Sequence, residues 1–78
     1  MYVVYVLRDN RSQLYKGMTN NLARRIAEHR RGKTKTTSRM NNLNIVYLEE
    51  YEGFDEARKR EVYLKTAAGR RFLKNKLK

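Results

Sequence analysis

Tyr2-Val3-Val4-Tyr5-Val6-Leu7 opens the chain with β-branched and aromatic residues and no polar alternation. Such a run suits a strand covered on both faces, so it is expected at the centre of a sheet and not at its edge. Asp9-Asn10-Arg11-Ser12 supplies turn formers, and residues 13–19 return as a second, more amphipathic strand. The two make an antiparallel hairpin with a loop longer than a two-residue turn. Tyr5 and Tyr15 then lie on adjacent strands, where they can converge on one face.

After the hairpin, Asn20 is a good N-cap for a helix running to Arg31, with Leu22, Ile26 and His29 at helical spacing and Gly32 as its stop. Residues 33–42 are rich in Thr, Asn and cations and read as a solvated basic loop. A third strand is expected over residues 44–52, through Ile45, Tyr47 and Tyr51, ending at Gly53. Asp55 is expected to cap a second helix over residues 56–68, and Gly69 to end it before a short last helix over residues 70–77. The order ββαβαα makes an α+β fold: a small three-stranded antiparallel sheet flanked by helices. No repeat or linker is visible, so residues 1–78 are expected to form a single domain.

Composition narrows the function. Nineteen Lys and Arg against eight Asp and Glu give a net charge of +11, far more than solubility requires. Nucleic acid, anionic lipid and an acidic protein would each satisfy that charge. Lipid fits worst, because no basic helix carries a broad apolar opposite face. The chain has no cysteine and one histidine, which excludes disulfide staples and a zinc cage. The opening apolar run is too short for a signal segment or a membrane span, and a soluble cytoplasmic protein is expected.

The second helix holds the most informative side chain. Phe54, Ala57, Glu61, Leu64 and Ala68 fall on one helical stripe, which puts Glu61 among core-facing residues. A carboxylate removed from water needs a cation, a metal or a cleft. The bland alternative is an i,i+4 ion pair with Lys65 at the edge of the stripe. On the first helix, Arg25 and His29 are i,i+4 neighbours bordering the apolar stripe. A rim-facing Arg can fork onto a phosphate, or can be one more solvated cation. The lone His suits a packed residue as well as a base.

Val3-Val4-Tyr5, then Tyr15-Lys16-Gly17 ten residues later, then Thr19-Asn20-Asn21-Leu22-Ala23-Arg24-Arg25-Ile26-Ala27-Glu28-His29 together resemble the GIY-YIG endonuclease core. Glu56-Ala57-Arg58-Lys59-Arg60-Glu61-Val62-Tyr63-Leu64-Lys65 and Gly69-Arg70-Arg71-Phe72-Leu73-Lys74 are similar to small stand-alone members related to the excision-repair incision nuclease. The resemblance spans nearly the whole chain. Val3 and Val4 stand where the family name has Gly and Ile, which keeps strand character. Lys16 replaces a residue that is usually apolar.

This resemblance implies a divalent-metal-dependent endonuclease that hydrolyses DNA, with a role in repair or recombination on particular DNA structures. It implies that Tyr5 and Tyr15 are the motif tyrosines, Arg25 the phosphate-binding arginine and His29 their active-site neighbour. Glu61 matches the carboxylate that holds one Mg2+ or Mn2+ ion, and Asn75 is the residue matching a C-terminal asparagine that assists some members. Tyr5, Tyr15 and His29 all stand as candidates for the general base. Lys16, Arg24, Lys33, Lys35, Arg39, Arg70 and Arg71 are expected to contact the nucleic-acid backbone. The alternative is a non-catalytic basic module that clamps phosphates without regard to sequence. Charge suits both, but a pure binder has no reason to aim Glu61 at a polyanion.

Overall fold

The computed structural model describes residues 1–33 and 37–77. Its elements are β1 (Tyr2–Arg8), β2 (Leu14–Thr19), α1 (Leu22–Arg30), β3 (Asn44–Tyr51), α2 (Phe54–Leu64) and α3 (Ala67–Lys76). This is the α+β fold and the ββαβαα order expected from the sequence. The sheet order is β2-β1-β3 with both pairings antiparallel, so the all-apolar strand is the central one.

The central strand is covered on both faces, because successive side chains point to opposite sides. Val4 and Val6 pack against Ala57, Leu64 and Leu73, which places α2 and α3 on one face. Tyr5 and Leu7 pack against Ile26 and Leu43, which places α1 and the segment before β3 on the other. The register pairs Tyr5 with Gly17 and Leu7 with Tyr15, so both motif tyrosines share the α1 face. Lys16 pairs with Val6 and points to the α2–α3 face, away from Tyr15.

The turn between β1 and β2 is organised by Asp9. Its carboxylate accepts backbone hydrogen bonds from Arg11 at 2.9 Å and Gln13 at 2.8 Å, and Ser12 takes the left-handed conformation. At the end of α1, Gly32 has φ +72, and the amides of Gly32 and Lys33 donate to the carbonyls of His29 and Glu28. That pair of bonds is the Schellman arrangement a left-handed glycine permits, and Gly32 ends the helix as expected.

Several boundaries differ from the sequence reading. Asn21, not Asn20, caps α1, its side chain accepting from the Arg24 amide. Helix α2 starts at Phe54 with Gly53 as a cap that offers no side-chain bond, so Asp55 lies inside the first turn. Phe54 is exposed and Ala68 belongs to the next helix, which shortens the buried stripe of α2 to Ala57, Glu61 and Leu64.

Gly69 lies inside α3 instead of ending α2 as expected. Thr66 makes the break: its hydroxyl caps α3 by accepting from the Gly69 amide at 3.1 Å. Gly69 is needed for close approach. A Cβ there would stand 2.1 Å from the Tyr63 carbonyl oxygen and 2.4 Å from the Leu64 Cα. The loop before β3 is also less solvated than expected, since Thr37 and Leu43 are buried.

Candidate active site

Four of the residues singled out in the sequence converge on the α1 face. The Tyr5 hydroxyl lies 2.8 Å from His29 Nε2, and His29 Nδ1 lies 2.7 Å from the Thr37 hydroxyl. All three residues are buried. The Tyr15 ring meets the His29 ring edge-on with centroids 4.9 Å apart, and the two tyrosine rings stand 6.3 Å apart. Arg25, one turn before His29, brings its guanidinium within reach of both phenols and donates to Glu28 at 3.0 Å.

Gly17 makes this packing possible. It lies directly across from Tyr5, and a Cβ there would stand 2.6 Å from the Tyr5 hydroxyl oxygen and 3.1 Å from the Tyr15 ring. The Tyr5 ring therefore lies directly over the Gly17 backbone. The third residue of the second motif is glycine because the phenol occupies the space of its side chain.

The electrostatics follow from burial. Burial pushes the Tyr5 phenol up to about 12, opposed by the Arg25 hydrogen bond and reinforced by the charges at Tyr15 and Glu61. His29 is held below its ordinary value, first by burial and then by the Arg25 charge, so its imidazole is neutral at neutral pH. Arg25 is held more firmly protonated than usual, first by the hydrogen bond to Tyr5 and then by Glu28. Either histidine tautomer satisfies both hydroxyl partners, because each hydroxyl can donate or accept.

Glu61 projects from α2, on the other side of the sheet. It is 7% exposed, so the core-facing reading of its stripe holds. The ion pair with Lys65 also forms, at 3.5 Å, beside a closer one to Arg58 at 2.7 Å. The charge of this carboxylate helps to raise the Tyr5 pKa. Among the described residues no group of three or more His, Asp or Glu side chains gathers for a metal. The donor set fits a hard cation that keeps most of its waters and takes one carboxylate. Arg58 and Lys65 are 58% and 52% exposed, so both can swing away from Glu61 without breaking the core.

The cations expected to meet nucleic acid fall in different places. Arg24, Lys33, Arg39 and Arg71 are exposed, as is Arg70, whose guanidinium donates to the Lys65 carbonyl at 3.1 Å. Lys16 is half-buried, and burial followed by the charges of Arg70 and Lys65 lowers its pKa. Lys16, Lys65 and Arg70 thus form a positive patch next to Glu61. Lys35 lies outside the described residues. Asn75 is exposed in the last turn of α3 and makes no hydrogen bond to the tyrosine cluster among the described residues.

Two members of the site were not singled out in the sequence. In the sequence Thr37 is one polar residue of a loop expected to be solvated, and nothing in its neighbourhood signals a partner on α1. Gly17 was legible only as part of a motif; its reason is the register that sets it opposite Tyr5.

The sheet, the helix that covers it and the Tyr5–His29 bond between them form one cluster of buried aromatic and basic side chains. The GIY-YIG catalytic domain model matches residues 1–77, and the chain belongs to the GIY-YIG family. It is similar to a UPF0213 protein of Clostridium perfringens, 41% identical over 66 residues that cover 83% of this chain and 71% of that one. A UPF0213 protein of Staphylococcus haemolyticus is 35% identical, covering 94% and 90%. The fold resembles the UPF0213 protein BH0048 of Bacillus halodurans, solved in solution by NMR, with a TM-score of 0.60 and 26% identity, covering 96% of this chain and 84% of that one. The family is generally one of endonucleases, so this is a nuclease domain with DNA as the implied substrate. Among the described residues no helix is long and apolar enough to cross a membrane.

Proposed function

We propose that this protein hydrolyses DNA phosphodiester bonds as a divalent-metal-dependent endonuclease, selecting its substrate by DNA structure. The single observation that carries the reading is the buried hydrogen bond between Tyr5 and a neutral His29, with Arg25 on the same phenol.

Hydrolysis requires a water oxygen to bond to phosphorus, the bond to a sugar oxygen to break, and one water proton to be taken up. A phenol raised to about 12 resists standing as a phenolate. Tyr5 therefore serves best as a relay: its oxygen accepts the proton from water while its own proton passes to His29 Nε2. His29 is left as imidazolium, and Thr37 accepts from Nδ1 to hold the ring in place. Arg25 binds the non-bridging phosphate oxygens, where a planar fork matches their geometry. Tyr15 packs against His29 and helps fix Arg25. Glu61 would hold one Mg2+ or Mn2+ ion, which when bound supplies charge stabilisation for the departing oxygen. The exposed cations hold the backbone, and such binding weakens steeply with salt.

The test is nicking across a panel of branched, flapped and plain duplex DNA with magnesium or manganese. Glu61→Gln is expected to abolish nicking and leave binding within about twofold, because that change keeps the shape but removes the charge. Equal nicking by both proteins would remove Glu61 from the chemistry. Binding with no nicking at all would favour a non-catalytic phosphate clamp.

A further inference from the structure

Behind His29 lies a polar hollow of about 600 Å³ that the chemistry above does not use. Its lining runs from His29 and Arg30 on α1 to Met40 and three asparagines, Asn41, Asn42 and Asn44, in the segment leading into β3. The segment is pinned by its backbone. The Asn10 amide donates to the Asn41 carbonyl at 3.0 Å, Asn44 Nδ2 donates to the Asn42 carbonyl at 3.1 Å, and Asn42 sits in the left-handed region at φ 57. Among the described residues the carboxamides of Asn41 and Asn42 make no hydrogen bond, so each presents a free donor beside a free acceptor.

We infer that this hollow receives a nucleobase that has left the helical stack, next to the phosphate held by Arg25. The inference rests on DNA being the substrate, and it adds what part of the DNA is read. Paired donors and acceptors on a carboxamide match the edge of a base, which offers the same groups at the same spacing. The half-buried Met40 and buried Leu43 supply apolar surface for the face of the ring. Arg30, which donates to the Leu43 carbonyl at 3.5 Å, stands at the rim as a cation for the adjoining phosphate. A stacked base pair cannot enter a recess, whereas an unpaired base can. Because His29 is both the wall of this hollow and the partner of Tyr5, a base bound here sits beside the proposed proton path.

The experiment measures binding without cleavage, in a chelator, to three duplexes: fully paired, with one unpaired nucleotide, and with an abasic residue at that same place. Wild-type protein is expected to bind the unpaired base roughly 5- to 100-fold more tightly than the abasic residue, the range for losing a base contact. The pair of changes Asn41→Ala and Asn42→Gly should bind those two DNAs alike while its affinity for the paired duplex is unchanged, glycine being the residue that keeps the left-handed backbone at position 42. Both side chains are exposed, the backbone carbonyls that bond within the fold are retained, and glycine adopts the left-handed conformation of position 42, so the variant is expected to fold. Equal wild-type affinity for unpaired base and abasic residue, or a preference that survives in the variant, would overturn the inference. The hydrolytic reading is judged separately: a preference without nicking when metal is restored keeps the hollow and sinks the hydrolase, and nicking without a preference does the reverse.

Discussion

The Tyr5 hydroxyl and His29 Nε2 are 2.8 Å apart inside the protein, although 24 residues separate them in the chain. One group belongs to the central strand and the other to the helix that covers it, so this bond joins the two elements that build the site. Its titration gives a test in which activity plays no part. Above the ordinary imidazole value of 6.5, folded and unfolded chains both carry neutral His29, and no stability is lost. As pH falls below 6.5 the unfolded chain takes up the proton first, and stability drops until the lower folded value is reached. Tyr5 acts at the other end: stability is full below 10.0 and is lost as pH rises from there toward about 12. Urea denaturation across pH should show His29→Gln with a shallower acid limb, by at most about 1.4 kcal/mol per pH unit, and Tyr5→Phe with a shallower alkaline limb. Unchanged limbs would mean that the pair is not buried in its neutral form.

Arg25 is held by three partners. Its guanidinium reaches two phenols and Glu28 at once, which fixes the fork proposed to meet the phosphate. Arg25→Lys keeps the charge but cannot make those planar contacts together. Turnover is expected to fall by about 100- to 1,000-fold with little change in DNA affinity, as when a positioned donor to developing charge is lost. A variant with near-normal turnover would reduce Arg25 to a solvated cation.

The two glycines separate site from scaffold. At Gly17 an added Cβ meets side-chain atoms, the Tyr5 hydroxyl at 2.6 Å, and at Gly69 it meets backbone, the Tyr63 carbonyl at 2.1 Å. Gly17→Ala should therefore displace the phenol from His29 and depress nicking more than stability, which should fall by about 1–2 kcal/mol. Gly69→Ala should force α2 and α3 apart and cost about 3 kcal/mol or more, while molecules that remain folded keep their activity. Thermal denaturation with nicking rates at a temperature below both midpoints distinguishes the two, and the reversed pattern would refute this division.

These contrasts show what the sequence could carry. The central strand was legible because an unbroken apolar run needs cover on both faces, and alternation along the hairpin then put Tyr5 and Tyr15 on one side. Glu61 was legible because helical spacing set a carboxylate between Ala57 and Leu64. Gly69 misled because glycine ends helices more often than it lines their crossings, and only the packing of α3 on Tyr63 and Leu64 tells the two uses apart. Thr37 and the asparagine hollow were illegible for a different reason. They are assembled by contacts between α1 and the segment before β3, and no local period announces them.

The surroundings of Glu49 are likewise set by tertiary contacts, which a glutamate in a strand does not announce. On β3 it faces α2, where Tyr47 and Tyr51 donate their hydroxyls to it and Arg60 donates from Nε at 2.8 Å and from a terminal nitrogen at 3.0 Å. Arg60 in turn lies over the rings of Phe72 and Tyr63 at 4.7 and 5.0 Å, so the cluster ties β3 to α2 and α3. Burial alone would raise the Glu49 carboxyl, but the bonds from Arg60, Tyr47 and Tyr51 outweigh it and hold the group below its ordinary 4.5. Its stability is therefore present above 4.5 and lost as pH falls through the lowered folded value. Glu49→Gln should cost about 2–3 kcal/mol at neutral pH, because it leaves the Arg60 guanidinium without its countercharge in a largely enclosed setting. Urea midpoints should show this deficit at neutral pH and a smaller one in acid, where the wild-type carboxylate is itself protonated. A deficit that stays constant with pH would mean the cluster acts through packing alone, with Arg60 held by its aromatic neighbours and not by the charge on Glu49.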